Sequence, residues 1–100
     1  MTEPILEPDL PIVDPHHHLW IRPPHLLAMM PPSDHGFSDI MRQIPRYLFD
    51  EYLADLTAGH HVVATVYMEC GSMYRADGPD ALKPVGEVEF VNGVAAMSAS

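Results

Sequence analysis

Pro11-Ile12-Val13-Asp14-Pro15-His16-His17-His18-Leu19-Trp20 is a short apolar run that ends in three adjacent histidines. Ile12 and Val13 are β-branched and favour extended, half-buried backbone, while Pro11 and Pro15 mark where such a run starts and stops. The histidines are therefore expected at the C-terminal tip of a strand. Side chains alternate along extended backbone, so His16 and His18 point the same way with Cα atoms roughly 6–7 Å apart, and His17 points opposite. Two imidazoles so placed can converge on one ion. Metal–nitrogen bonds of about 2.0–2.1 Å suit rings that lean together, and neutral imidazole is a common ligand of zinc and similar divalent ions. The pair needs further ligands to close a site.

The plain alternatives are a solvated polar loop, or structural residues that cap a strand end. Against them, Asp14 stands two positions ahead of His16 and the apolar Leu19-Trp20 follows directly, as a buried and oriented site requires. The run is too short and too internal for a purification tag.

A second block reinforces the first. Val62 to Glu69 is a nearly continuous β-branched run, which suits a parallel strand buried on both faces. It leads into Glu69-Cys70-Gly71-Ser72-Met73-Tyr74-Arg75 and then Pro84-Val85-Gly86-Glu87. With both blocks in view, Asp14 to Trp20 resembles the Asp-x-His-x-His signature that ends the first strand of the amidohydrolase superfamily. It is most similar to the amidohydrolase-related (amidohydrolase 2) branch of metal-dependent TIM-barrel hydrolases, which includes sugar lactonases. The stretch from His61 through Gly86 resembles that branch's second strand and following loop.

The resemblance implies an α/β fold, a (β/α)8 TIM barrel of about 250 residues. Residues 1–100 would then be the N-terminal part of a single barrel domain, supplying about two βα units. It implies a hydrolase acting on a carbonyl centre, a lactone, ester or amide, of a small-molecule substrate. His16 and His18 would hold one divalent metal ion, zinc or manganese, which polarises the carbonyl and lowers the pKa of bound water. Further ligands and a general-base aspartate are expected from later strands, beyond residue 100. The same branch holds metal-independent lactonases and decarboxylases, so both stay open. A reading from another class is a non-catalytic metal-binding barrel domain.

Composition narrows the partners. With 47% hydrophobic and 19% charged residues the chain is of globular type. A net charge of −9 with only five basic residues argues against nucleic acid, which wants clustered Lys and Arg. The single Cys70 forms no internal disulfide and suits a reducing cytosol, where a small residue packed after a strand is its plain role. Met1 to Leu10 is acidic and proline-bearing, without a secretory signal, and no run approaches the ~18 apolar residues of a membrane span. A cytoplasmic protein follows as the expectation, with a homo-oligomer left open. The last residues, Val94 to Ser100, read as helix with no stop signal, which fits a chain that continues.

Residues 21–46 form a long connection with Pro23, Pro24, Pro31, Pro32 and Pro45, and repeated prolines break helix and ladder alike. In a barrel, a loop after a strand's C-terminal end overlies the active site. Arg22, His25 and His35 are thus placed to meet substrate or to be plain surface residues, and a helical turn is expected around His25 to Met30. From Tyr47 to Thr57, Leu48, Phe49, Tyr52, Leu53 and Leu56 recur at helical spacing, with Asp50 as N-cap and Gly59 as stop. Asp50, Glu51 and Asp55 would face water. His60 and His61 fall in the turn at the far end of the sheet and are rejected as ligands.

Glu69 would end the second strand on the same rim as His16 and His18, available to substrate, to a ligand imidazole, or to water. Tyr74 and Arg75 follow in the loop, Arg75 with a planar fork suited to a carboxylate. With Trp20 and Glu69 they make up the substrate-binding candidates. Val85, Val88, Val91, Val94 and Ala95 are expected to pack a second helix on the sheet, with Glu87 and Glu89 exposed near its start.

Overall fold

The computed structural model describes residues 3–29 and 36–100. His35, with Met30, Ser33 and Asp34, lies outside the described residues. In chain order the elements are β1 (Pro11–His17), β2 (Trp20–Ile21), α1 (Pro24–Met29), α2 (Gly36–Gln43), β3 (Arg46–Tyr47), α3 (Phe49–Leu56), β4 (His61–Tyr67) and α4 (Val85–Ala99), with a 3-10 turn at Asp80–Leu82. β1 and β4 pair in parallel, connected through α3, which is the strand-helix-strand unit that the two apolar runs predict.

The connection over residues 21–46 holds more structure than its prolines suggest. The expected turn near His25 is α1, and α2 is an additional helix. β2 and β3 pair antiparallel and close the stem of the excursion. There the Trp20 and Tyr47 rings stack at 5.1 Å, and the Trp20 indole N–H donates to the Ile44 carbonyl at 2.8 Å.

α3 starts two residues earlier than an Asp50 cap requires. Leu48 is the N-cap, and since it carries no side-chain acceptor the helix is capped from within: its N–H donates to the Glu51 carboxylate at 3.3 Å. Asp50 lies in the first turn, 3.3 Å from Arg46. Asp55 accepts the Tyr47 hydroxyl, so these acids are structural partners as well as surface groups.

Strict alternation fails within β1. Asp14 sits opposite Thr65 and His17 opposite Tyr67, so three steps of β1 match two of β4. A bulge therefore lies at Pro15-His16, where the missing N–H of proline costs no ladder bond. It puts Asp14 and His17 on the same face: the Tyr52 hydroxyl donates to Asp14 Oδ2 at 2.5 Å, and the His17 ring stacks on Tyr52 at 4.2 Å. His16 and His18 are left together on the other face.

The apolar side of the unit lies between the sheet and the helices. Among the described residues Leu19 and Tyr52 are the buried hydrophobic side chains, and a cavity of about 530 Å³ beside them is lined by Phe49, Leu56, Val62, Val91 and Val94. The sheet-facing positions of α4 correct the expected stripe. Glu87 is buried at 4% exposure while Val88 is 59% exposed, so the inward face runs Glu87, Val91, Val94 and Ser98. Glu87 is not a solvated first-turn acid. Among the described residues no helix is long and apolar enough to cross a membrane.

Candidate metal centre

Beyond the bulge, His16 and His18 share a face and converge. Their Nε2 atoms are 3.0 Å apart, with the rings edge to face at 4.8 Å between centroids. Two nitrogens each about 2.0–2.1 Å from a tetrahedral ion lie about 3.3 Å apart, so the pair is close to the spacing a shared ion demands. His18 is held in a defined form. Its Nδ1 is 2.8 Å from the Met68 carbonyl oxygen, which can only accept, so Nδ1 carries the proton and Nε2 keeps its lone pair. Met68 is fixed in turn by its own N–H, which donates to the His17 carbonyl at 2.9 Å and continues the β1/β4 ladder.

The pair thus suits a divalent ion in ligand type and spacing, with the tautomer fixed at His18, and would supply two ligands of a set. Among the described residues no third His, Cys, Asp or Glu joins them. Asp14, for all its closeness in sequence, faces away toward Tyr52. One carboxylate oxygen accepts the His16 backbone N–H at 3.2 Å, an Asx-type contact that holds the bulge. The Tyr52 hydroxyl, ahead of smaller contributions, keeps the Asp14 carboxyl below its ordinary range.

His17 is the counterpart on the helix side. It is stacked on Tyr52 and edge-on to Tyr67 at 5.4 Å, and its Nδ1 is buried without a partner among the described residues. Burial pushes its pKa down, and its place against Tyr52 and Tyr67, away from His16 and His18, makes His17 a packing residue. His61 pairs with Pro11 at the start of β1, and His60 precedes it, both at the end of the sheet away from the pair.

The substrate-binding candidates scatter. Trp20 lines a cavity of about 60 Å³ together with His18, Arg22, Ile40, Met41 and Cys70. Arg22 donates to the Cys70 carbonyl at 3.2 Å. Glu69 lies two residues past the end of β4, exposed, on a different cavity with Tyr67, Glu87 and Val91. Tyr74 is exposed, and Arg75 is engaged by Glu89 at 2.8 and 2.5 Å. His25 lies exposed on α1. Of these residues the structure brings Trp20 and Arg22 beside His18.

One group escaped the sequence reading. Glu87 Oε2 accepts the Tyr67 hydroxyl at 2.7 Å and the backbone N–H groups of Cys70 and Ser72, each at 3.1 Å. Burial alone would raise the Glu87 pKa; these donors together outweigh it and hold the carboxyl below its ordinary value. Its inward place has a partial signal, since Glu87 shares a helix face with Val91, Val94 and Ser98; its donors, which come from other segments, have none.

No protein-family model, no curated protein and no solved structure matches the chain.

Proposed function

We propose that this chain carries the strand-tip metal rim of a TIM-barrel hydrolase of the amidohydrolase-related type, acting in the cytoplasm on the carbonyl centre of a small lactone, ester or amide. The observation that carries the reading is the His16/His18 pair: two Nε2 atoms at 3.0 Å, one of them fixed as lone-pair donor by the Met68 carbonyl. Zinc, or manganese, would be held by these two imidazoles, and when bound it supplies Lewis-acid polarisation of the carbonyl and a more acidic water. The chain's own residues do the rest of what is visible. Met68 sets the proton on His18 Nδ1, alternation turns His17 away to Tyr52 and Tyr67, and Trp20 and Arg22 wall the recess beside His18.

A second reading has its own observation. At 3.0 Å the His16 Nε2–H can donate to His18 Nε2 while the site is empty, and the same N–H turned to a substrate carbonyl would polarise it without an ion, as in a metal-independent lactonase. Elemental analysis separates the two. The tag-free full chain, purified without chelators, is expected to hold about one divalent ion, and His16→Ala/His18→Ala to hold none. A folded, active protein with no ion overturns the metal reading in favour of the second. Unchanged metal content in the double variant removes the pair from either role.

A further inference from the structure

Glu87 belongs to α4, yet what it grips is the segment that presents His18. Its Oε2 gathers the Tyr67 hydroxyl and the Cys70 and Ser72 amides, which flank Met68 on both sides. Ser72, 1% exposed, carries the grip across to β1: its hydroxyl donates to the carbonyl of Leu19, the neighbour of His18, at 2.6 Å. Met68, in the middle of this clamp, is the residue whose carbonyl orients the His18 ring.

A separate feature keeps the clamp shut. A Cβ at Gly86 would lie 2.3 Å from the Met73 carbonyl oxygen and 2.7 Å from the Arg75 nitrogen, so only glycine lets the loop lie against the first turn of α4. The Arg75 N–H then donates to the Lys83 carbonyl at 2.9 Å. Without that close approach, Glu87 could not reach the Cys70 and Ser72 amides. A carboxylate fits the place because three donors converge on one oxygen; an amide or an apolar group leaves some of them unpaired.

We propose that Glu87 is a positioning residue for the His16/His18 centre: by clamping Tyr67, Cys70 and Ser72 it fixes the Met68 carbonyl, and through it the tautomer and aim of His18. This deepens the metal-site reading and rests on it. Glu87 itself touches neither ion nor substrate. The chain of contacts is Glu87 to the backbone at Cys70 and Ser72, Met68 to His18 Nδ1, and His18 Nε2 to the centre.

The test uses the full chain and Glu87→Gln, which keeps the shape and removes the charge. Two readouts are taken beside circular dichroism: Co2+ affinity by competition with a chromophoric chelator, and the nitrogen NMR shifts of the His18 ring in the metal-free protein. The expected result is a folded variant with Co2+ affinity lowered roughly 10–100-fold, the range that outer-shell partners of metal ligands command. Its His18 shifts should move from the single Nδ1–H form to a mixture of tautomers. A purely structural role would lower the melting temperature and leave the tautomer alone. A folded Glu87→Gln with wild-type tautomer and wild-type Co2+ affinity overturns the proposal. A wild-type chain that takes up no Co2+ defeats the metal reading instead, and the tautomer measurement, which needs no metal, still decides Glu87. Should Glu87→Gln fail to fold, Tyr67→Phe removes the shortest of the three donors while keeping the ring. It is expected to shift both readouts in the same direction by less, and no shift overturns the proposal.

Discussion

His16 and His18 on one face of β1, and His17 on the other, are the same side chain in three consecutive positions with opposite fates. The open-face pair is polar, partly exposed and joined Nε2 to Nε2 at 3.0 Å. The helix-face ring lies between Tyr52 and Tyr67, kept neutral by burial, with an unpartnered buried nitrogen. Residue type alone therefore decides little; which face a histidine takes decides whether it can act as a ligand. Alternation opposes His17 to His16 and His18, and the bulge at Pro15-His16 lets Asp14 share the helix face with His17 and Leu19 while His16 and His18 share the open one.

Inserting one residue between His17 and His18 is the harshest way to break this contrast. Alternation then turns His18 to the helix face and Leu19 to the open face. Loss of Leu19 burial alone is worth about 1.5–3 kcal/mol. Urea denaturation should show at least that destabilisation, together with loss of metal uptake. Retention of both would mean that alternation through His17 and His18 does not set the faces.

A milder change acts on the helix face only. Tyr52→Phe removes the hydroxyl that Asp14 accepts, at a cost of about 1–2 kcal/mol, and keeps the stack on His17. The Asp14 carboxyl is depressed in the fold, so its contribution is present above the unfolded carboxylate value of about 3.9 and is lost as pH falls through the folded one. In Tyr52→Phe the folded value rises, and this acid-side loss should shrink. Melting temperatures from pH 5 down to pH 2 check it, while metal content at neutral pH should stay as in the wild type.

The smallest effect is expected at His17 itself. His17→Phe preserves the ring stack and deletes the unpartnered nitrogen, so stability at neutral pH should rise by about 1 kcal/mol or less. The folded pKa of His17 is depressed, so the wild type loses stability as pH falls below the unfolded value of about 6.5. Thermal melts between pH 7 and pH 5 should lose that slope in the variant. An unchanged slope would assign it to other groups.

Much of this is legible in the sequence itself. The β-branched runs at Ile12-Val13 and Val62 to Val66 form the parallel pair, and the periodicity from Leu48 to Leu56 forms α3, because both patterns survive short-range averaging. The convergence of His16 and His18 was also legible, although the regular alternation that suggested it does not hold through Asp14. A bulge is a tertiary compromise between two strands, and Pro15 hints at it only weakly. α2 was hidden by the surrounding prolines, which describe the ends of that segment better than its interior. Glu87 was hidden by a good rule: an acid in a helix's first turn is ordinarily solvated beside the dipole. Here the donors of Tyr67, Cys70 and Ser72 reverse it, and no local pattern in α4 announces groups supplied from fifteen to twenty residues upstream.

The stem formed by β2 and β3 has a consequence of another kind. Trp20 against Tyr47, the indole bond to Ile44 and the Arg22 N–H to Pro45 at 2.7 Å tie the two ends of the intervening stretch to each other before it rejoins the strand-helix-strand unit. Closing a stem locally separates what lies between its ends from the rest of the chain's folding, since the entropy of the span is absorbed at the clip. Everything between Arg22 and Pro45 is thus a cassette: it can be lengthened, shortened or exchanged during divergence, changing what arrives at His18 without re-registering β1 on β4.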